Sequence, residues 1–193
     1  MFSETQLPEE NREDARRWKR LRSEQIANCK VFQVRRDLSV REVDEESQHT
    51  FYCIEAPDWI NVIALTADEQ VVLIEQYRHG IEEVTLEIPG GMADGDEDPQ
   101  TAGLRELLEE TGYAPRGEVV VLGRTRPNPA IQNNWVYHLL ALDVEKVQDT
   151  DFDSTEDVTT RLVPVADVAG LIENGAITHA LVLTAFYHFA LRG

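Results

Sequence analysis

Cysteine is scarce in this 193-residue chain: only Cys29 and Cys53 occur, without the CxxC spacing of a zinc or redox motif. Zinc ligation by thiolates therefore has no support, and the two thiols are expected to be buried and unpaired in a reducing compartment. Basic residues are also few, 18 against 36 acidic ones, for a formal net charge of −18. That balance argues against a broad surface tracking nucleic-acid phosphates, whereas cations would be drawn to it. No apolar run approaches the roughly 18 residues that cross a bilayer. The first residues, MFSETQLPEENRED, lack the basic-then-apolar order of a secretory leader. The expected setting is the cytoplasm, with no membrane and no nucleic acid as partner.

What is present suffices for a core, since 42% of residues are hydrophobic and the length suits one domain with an appendage. Residues 8–27, PEENREDARRWKRLRSEQIA, run from acidic to basic, the order a helix dipole favours, and are expected to form a helix outside the main core. KVFQVRRDLSVREV and QHTFYCIEA read as strands around a turn at Asp44 to Ser47. INVIALTADEQVVLIEQYR reads as two more strands, turning near Asp68. A helix is expected from about Thr101 to Glu110, closed by Gly112. EVVVLGRTRP, WVYHLLALDV and TRLVPV follow as strands, with DTDFDSTEDV as an acidic loop. Two helical stretches separated by Gly175 finish the chain. The predicted class is α/β of the α+β kind: an α/β/α sandwich with a mixed sheet.

One stretch carries chemistry. In GGMADGDEDPQTAGLRELLEETGY, residues 90–113, Glu106 shares a helix face with Glu109 and Glu110, because residues three and four apart are neighbours. Like charges at that spacing repel. An acidic helix face is ordinarily a solvated one, but here two glycines bend the chain ahead of it, and Leu104, Leu107 and Leu108 anchor it to the core. Hard oxygen donors converging on one face suit magnesium or manganese, which would remove the repulsion.

The spacing resembles the Nudix box: Gly91, five residues, Glu97, seven residues, Arg105-Glu106-Leu107, one residue, Glu109-Glu110, one residue, Gly112-Tyr113. Tyr113 stands where the family usually has an aliphatic residue. The resemblance implies metal-dependent hydrolysis of a nucleoside diphosphate linked to another group, with Mg2+ (or Mn2+) on Glu106, Glu109, Glu110 and the Gly90 carbonyl. It also implies that Arg105 pairs with Glu97 to hold the loop against the helix, inside the catalytic motif. Arg78, in IEQYRHG, matches a phosphate-binding arginine of similar family members.

Over roughly residues 59–190 the chain resembles the branch acting on ADP-ribose and other nucleoside diphosphate sugars, which yields a nucleoside monophosphate and a sugar phosphate. Pro129, sixteen residues beyond Tyr113, fits that branch. Residues 1–57 resemble its dimerisation arm, a helix with antiparallel strands that completes the nucleotide pocket of a homodimer; residues 58–193 form the hydrolase domain. The general base is expected from the acidic loop, at Glu156 or Asp153, with Glu109 as the alternative within the box. Trp59, Phe51 and Tyr77 are the candidates for stacking on the nucleobase, though each also reads as a core aromatic. His79, His138, His179 and His188 show no ligand spacing and read as structural. Two other readings stay open: a Nudix hydrolase of nucleoside triphosphates, and a nucleotide sensor without turnover.

Overall fold

A computed structural model describes residues 17–150 and 158–192. Its first compact unit ends at Ala56 and takes in Ala130–Asn133. This unit is an antiparallel meander of β1 (Trp18–Asn28), β2 (Gln33–Arg41) and β3 (Asp44–Glu55). The expected helix over 8–27 is corrected here: from Trp18 onward that segment is a strand, and its earlier part lies outside the described residues. The charges that read as a dipole pattern instead serve cross-strand pairs. Glu24 lies opposite Arg36, with Arg36 Nη2 donating to Glu24 Oε2 at 2.7 Å, and Ser23 lies opposite Asp37, donating to its Oδ1 at 2.6 Å. Helix propensity is a weak prior beside such pairing. The turn between β2 and β3 falls at Glu42 and Val43, ahead of the expected Asp44 to Ser47, which belong to β3. Neither cysteine is in a disulfide, but Cys29 is exposed and Cys53 half-buried, so the expected burial does not hold.

The second unit comprises Pro57–Pro129 and the chain from Asn134 onward. Its strands are β4 (Trp59–Ala64), β5 (Gln70–Arg78), β6 (Glu83–Glu87), β7 (Gly90–Met92), β8 (Tyr113–Pro115), β9 (Val119–Thr125), β10 (Val136–Ala141), β11 (Val144–Lys146) and β12 (Val158–Pro164). Its helices are α1 (Pro99–Thr111), α2 (Val168–Glu173) and α3 (Ala180–Ala190). The central sheet has the order β7-β4-β10-β9; β4 and β10 run parallel, and the other pairs antiparallel. A second sheet orders β12-β5-β6, and β11 pairs with β8. The mixed sheet and the α/β/α layering agree with the sequence reading.

Alternation along β4 sets the layers, because successive strand residues face opposite ways. Ile60, Val62 and Ala64 pack with Leu139 and Ala141 against Ala102 and Leu107 of α1. Ile63, with Leu140, Val71 and Leu73, packs against Val182, Ala185 and Phe186 of α3. The helix α1 is fixed at both ends. The Asp98 side chain caps it by accepting from the Gln100 and Thr101 amides at 3.1 and 3.2 Å, and Pro99 occupies the first turn. Gly112 closes it in the left-handed region, φ 75°, its amide donating to the Leu108 carbonyl at 2.8 Å.

Candidate active site

The two glycines ahead of α1 are required by close approach. A Cβ on Gly90 would lie 2.1 Å from the Ile60 carbonyl oxygen, and one on Gly91 would lie 2.4 Å from the Glu106 carboxylate. The chain therefore passes directly under the carboxylate that α1 presents. Glu110, only 3% exposed, accepts from the Gly90 amide through Oε2 at 2.9 Å. A buried carboxylate needs such compensation, and here it ties the helix to the β7 backbone.

Arg105 organises the rest. Its Nε and Nη2 donate to the two oxygens of Glu97 at 3.3 and 3.1 Å, and Nη2 also reaches the Met92 carbonyl at 3.1 Å. Its Nη1 bridges Glu106 Oε1 and Glu109 Oε2, each at 3.0 Å. The hydrogen bond to Glu97 comes first among the causes that push the Arg105 pKa up, with the charge of Glu106 adding to it. The same bond, with the Asp94 amide, holds Glu97 below the ordinary carboxylate range. Glu97 and Arg105 thus clamp the loop to the helix, and the guanidinium offsets the repulsion between Glu106 and Glu109. Among the described residues, no three His, Cys, Asp or Glu side chains stand in an arrangement that would already enclose a metal ion. The donor set on this edge, carboxylates on consecutive turns beside backbone carbonyls, is nevertheless the hard-oxygen chemistry that Mg2+ or Mn2+ takes.

Arg78 ends β5 and is held from the neighbouring strand. Its Nε and Nη2 meet Glu87 Oε1 and Oε2 at 2.8 and 2.7 Å, and Thr85 Oγ1 donates to Glu87 Oε1 at 2.5 Å. Burial alone would raise the pKa of Glu87, but the bonds from Arg78 and Thr85 and the Arg78 charge carry it below the usual range. Glu87 escaped the sequence reading because β6 is short and its partner is set by strand pairing. The only local signal was Thr85 and Glu87 falling on one face of TLE.

Trp59 opens β4, beside Met92 of β7 and Val136 of β10, and is half-buried. Phe51 and Tyr77 are 40% and 46% exposed, so neither is a core aromatic. Pro129 is an exposed turn residue. Glu156 and Asp153 lie outside the described residues. The sequence reading also passed over Trp135. Its amide donates to Asp58 Oδ1 at 2.7 Å, its carbonyl accepts from the Trp59 amide at 2.9 Å, and its ring carries the guanidinium groups of Arg124 and Arg126. The histidines are structural where they are packed: His138 is buried, bonds Thr125 Oγ1 through Nε2 at 2.9 Å and stacks on His188.

Comparison with known proteins agrees with this geometry. The NUDIX domain profile matches residues 57–186. An ADP-ribose pyrophosphatase of Bacillus subtilis (strain 168) is 26% identical over 179 residues, covering 90% of this chain and 93% of that protein. A methanol dehydrogenase activator of Bacillus methanolicus is 37% identical over 97 residues, about half of each chain at 49% and 50%. A solved structure described as an ADP compounds hydrolase superposes with a TM-score of 0.80 at 19% identity, covering 92% of this chain and 94% of the other. That likeness shows a shared fold. With the box residues gathered around the Gly90–Gly91 turn and the domain matched over most of its length, the chain belongs to the Nudix hydrolase family and is a pyrophosphohydrolase.

Proposed function

We propose that this chain hydrolyses the pyrophosphate bond of ADP-ribose or a related nucleoside diphosphate sugar in a metal-dependent reaction, giving a nucleoside monophosphate and a sugar phosphate. The observation that carries the reading is the Gly90–Gly91 turn passing under Glu106 and tied to Glu110, in a chain that aligns along nearly its whole length with an ADP-ribose pyrophosphatase. Glu106, Glu109, Glu110 and the Gly90 carbonyl would hold the divalent cation, magnesium or manganese. When bound, it supplies charge neutralisation at the pyrophosphate oxygens and activation of the attacking water. Arg105 and Glu97 position the loop against the helix. Arg78, oriented by Glu87, is assigned to a phosphate oxygen, the acceptor that a guanidinium fixed in direction by a carboxylate recognises well. Trp59 and Pro129 are assigned to substrate binding, Trp59 at the nucleoside, and Glu156 to the proton of the attacking water, with Asp153 and Glu109 as the alternatives.

The setting proposed is the cytoplasm, where both thiols stay reduced, and the assembly a homodimer formed through residues 1–57. Ten of the eleven residues of β1 are exposed, and Trp18, Leu21, Ile26, Phe51 and Tyr52 present apolar surface on that sheet. An exposed, long edge strand with apolar side chains is ordinarily covered. Light scattering is expected to give twice the chain mass of 21.9 kDa, and Leu21→Asp with Ile26→Asp to halve it; a wild-type monomer would overturn the arm assignment.

The activity is tested by phosphatase-coupled phosphate release with Mg2+ across ADP-ribose, UDP-glucose, GDP-mannose, a dinucleoside polyphosphate and the nucleoside triphosphates. Preference for a nucleotide sugar supports the proposal, and preference for triphosphates replaces it with the other Nudix reading. Tight nucleotide binding without turnover would make the chain a sensor.

A further inference from the structure

Acidic residues outnumber basic ones two to one in this chain, yet two cations share a single ring at one end of the central sheet. The Cζ of Arg126 lies 3.5 Å from the Trp135 centroid and that of Arg124 lies 4.3 Å from it. The two arginines are two residues apart, about 7 Å along an extended chain, a spacing that fits one guanidinium to each face of an indole. The ring quadrupole offsets the repulsion between them. Trp135 is itself pinned through its backbone by Asp58 and Trp59. Both arginines are exposed, and among the described residues no carboxylate pairs with Arg124.

The register places this stack on the face of the sheet that carries Gly91 and α1. Arg124 pairs with Tyr137, Tyr137 with Ile60, and Ile60 with Gly91, so the four residues form one row on one face. That face is the one covered by α1, because Ile60 and Tyr137 belong to the core cluster that α1 completes. The Glu106 carboxylate rests on Gly91 at one end of the row, and the guanidinium pair stands at the other. Three strand spacings separate the ends, about 14 Å. A pyrophosphate seated beside Glu106 does not extend that far; what reaches the stack is a group carried on the sugar or nucleoside. Beside a ring engaged by guanidinium groups, Arg124 offers N–H edges suited to an oxyanion, and Arg126 adds its positive charge.

We propose that Arg124 and Arg126, held by Trp135, form a second anion site of the substrate pocket, which selects nucleotide sugars bearing a phosphate or carboxylate outside the scissile pyrophosphate. The inference rests on the proposed nucleotide-sugar pyrophosphohydrolase activity and narrows its substrate class. Two pairs of probes separate the sources of the anion: ADP-ribose 2′-phosphate against ADP-ribose for a phosphate, and UDP-glucuronate against UDP-glucose for a carboxylate. The anionic member of at least one pair is expected to show a KM about tenfold lower. In Arg124→Gln with Arg126→Gln that ratio collapses towards one, with the fold checked by circular dichroism. A KM ratio near one for both pairs in the wild type, or a preference that survives the double substitution, overturns the site.

Binding without turnover distinguishes this failure from failure of the proposed activity. By calorimetry, adenosine 2′,5′-bisphosphate is expected to bind more tightly than AMP, and the difference to vanish in the double variant. If that holds while no substrate is hydrolysed, the anion site stands and the hydrolase reading falls. If substrates are hydrolysed but neither binding nor KM responds to the extra anion, the anion site alone falls.

Discussion

Glu110 is the residue on which the catalytic reading turns. Its carboxylate is buried and bonded to the Gly90 amide, so Glu110→Gln keeps the shape and one hydrogen-bonding oxygen but removes the charge a divalent cation would need. Turnover is expected to fall by roughly a hundredfold or more, with a thermal midpoint close to that of the wild type. Near-normal turnover in the folded variant would sink the ligand assignment. Glu110 was legible in the sequence because the box fixes it by spacing, and so were the Arg105–Glu97 pair and the Gly90–Gly91 turn. Glu87 and Asp58 were not. Glu87 acquires its role across the β5–β6 pairing, through Arg78, and Asp58 from a loop distant in sequence, through the Trp135 amide, and no local pattern announces either partner.

Among the elements, α1 was the easiest to foresee, because Asp98, Pro99 and Gly112 mark its ends by mechanisms that act within a few residues. Gly112 does two things that can be separated. Its φ of 75° disfavours any side chain, and a Cβ there would also lie 2.2 Å from the Gln148 carbonyl oxygen. Gly175 has a similar φ, 78°, with nothing within 4 Å of a Cβ. Gly175→Ala is therefore expected to cost only the left-handed conformational penalty, about 1 kcal/mol, and Gly112→Ala distinctly more, measured as urea midpoints. Equal losses would mean that the backbone moves freely around residue 112. The short strands β6, β7, β8 and β11 went unforeseen because three to five residues carry too little alternation to register. The misreading of β1 has another cause: its acidic and basic residues satisfy a helix rule locally, while pairing with β2 satisfies them across strands.

For the molecule as a whole, the layering of helices on a mixed sheet was legible from the order of elements, whereas the burial of a titratable histidine between the layers was not. His138 on β10 lies under His188 of α3, with ring centroids 5.3 Å apart, and its Nδ1 has no hydrogen-bond partner among the described residues. Burial first, and the neighbouring His188 second, depress its pKa from 6.5 to about 4. Between those two values the unfolded chain binds a proton that the folded chain refuses, so stability must fall as the pH is lowered from about 6.5 and the loss must level off near pH 4. A shift of this size corresponds to about 3 kcal/mol at most. Carboxylates held below their ordinary values, Glu87 and Glu97 among them, lose their contribution only as the pH drops below about 4.5 towards their folded values, so the two effects occupy largely separate windows. Urea midpoints of the wild type are expected to decline from pH 6.5 to 4.5, and His138→Gln, which keeps a partner for Thr125 without a titrating ring, should flatten that part of the curve. A wild-type midpoint that stays level until pH 4.5 would show that the layers over His138 open readily enough to admit the proton.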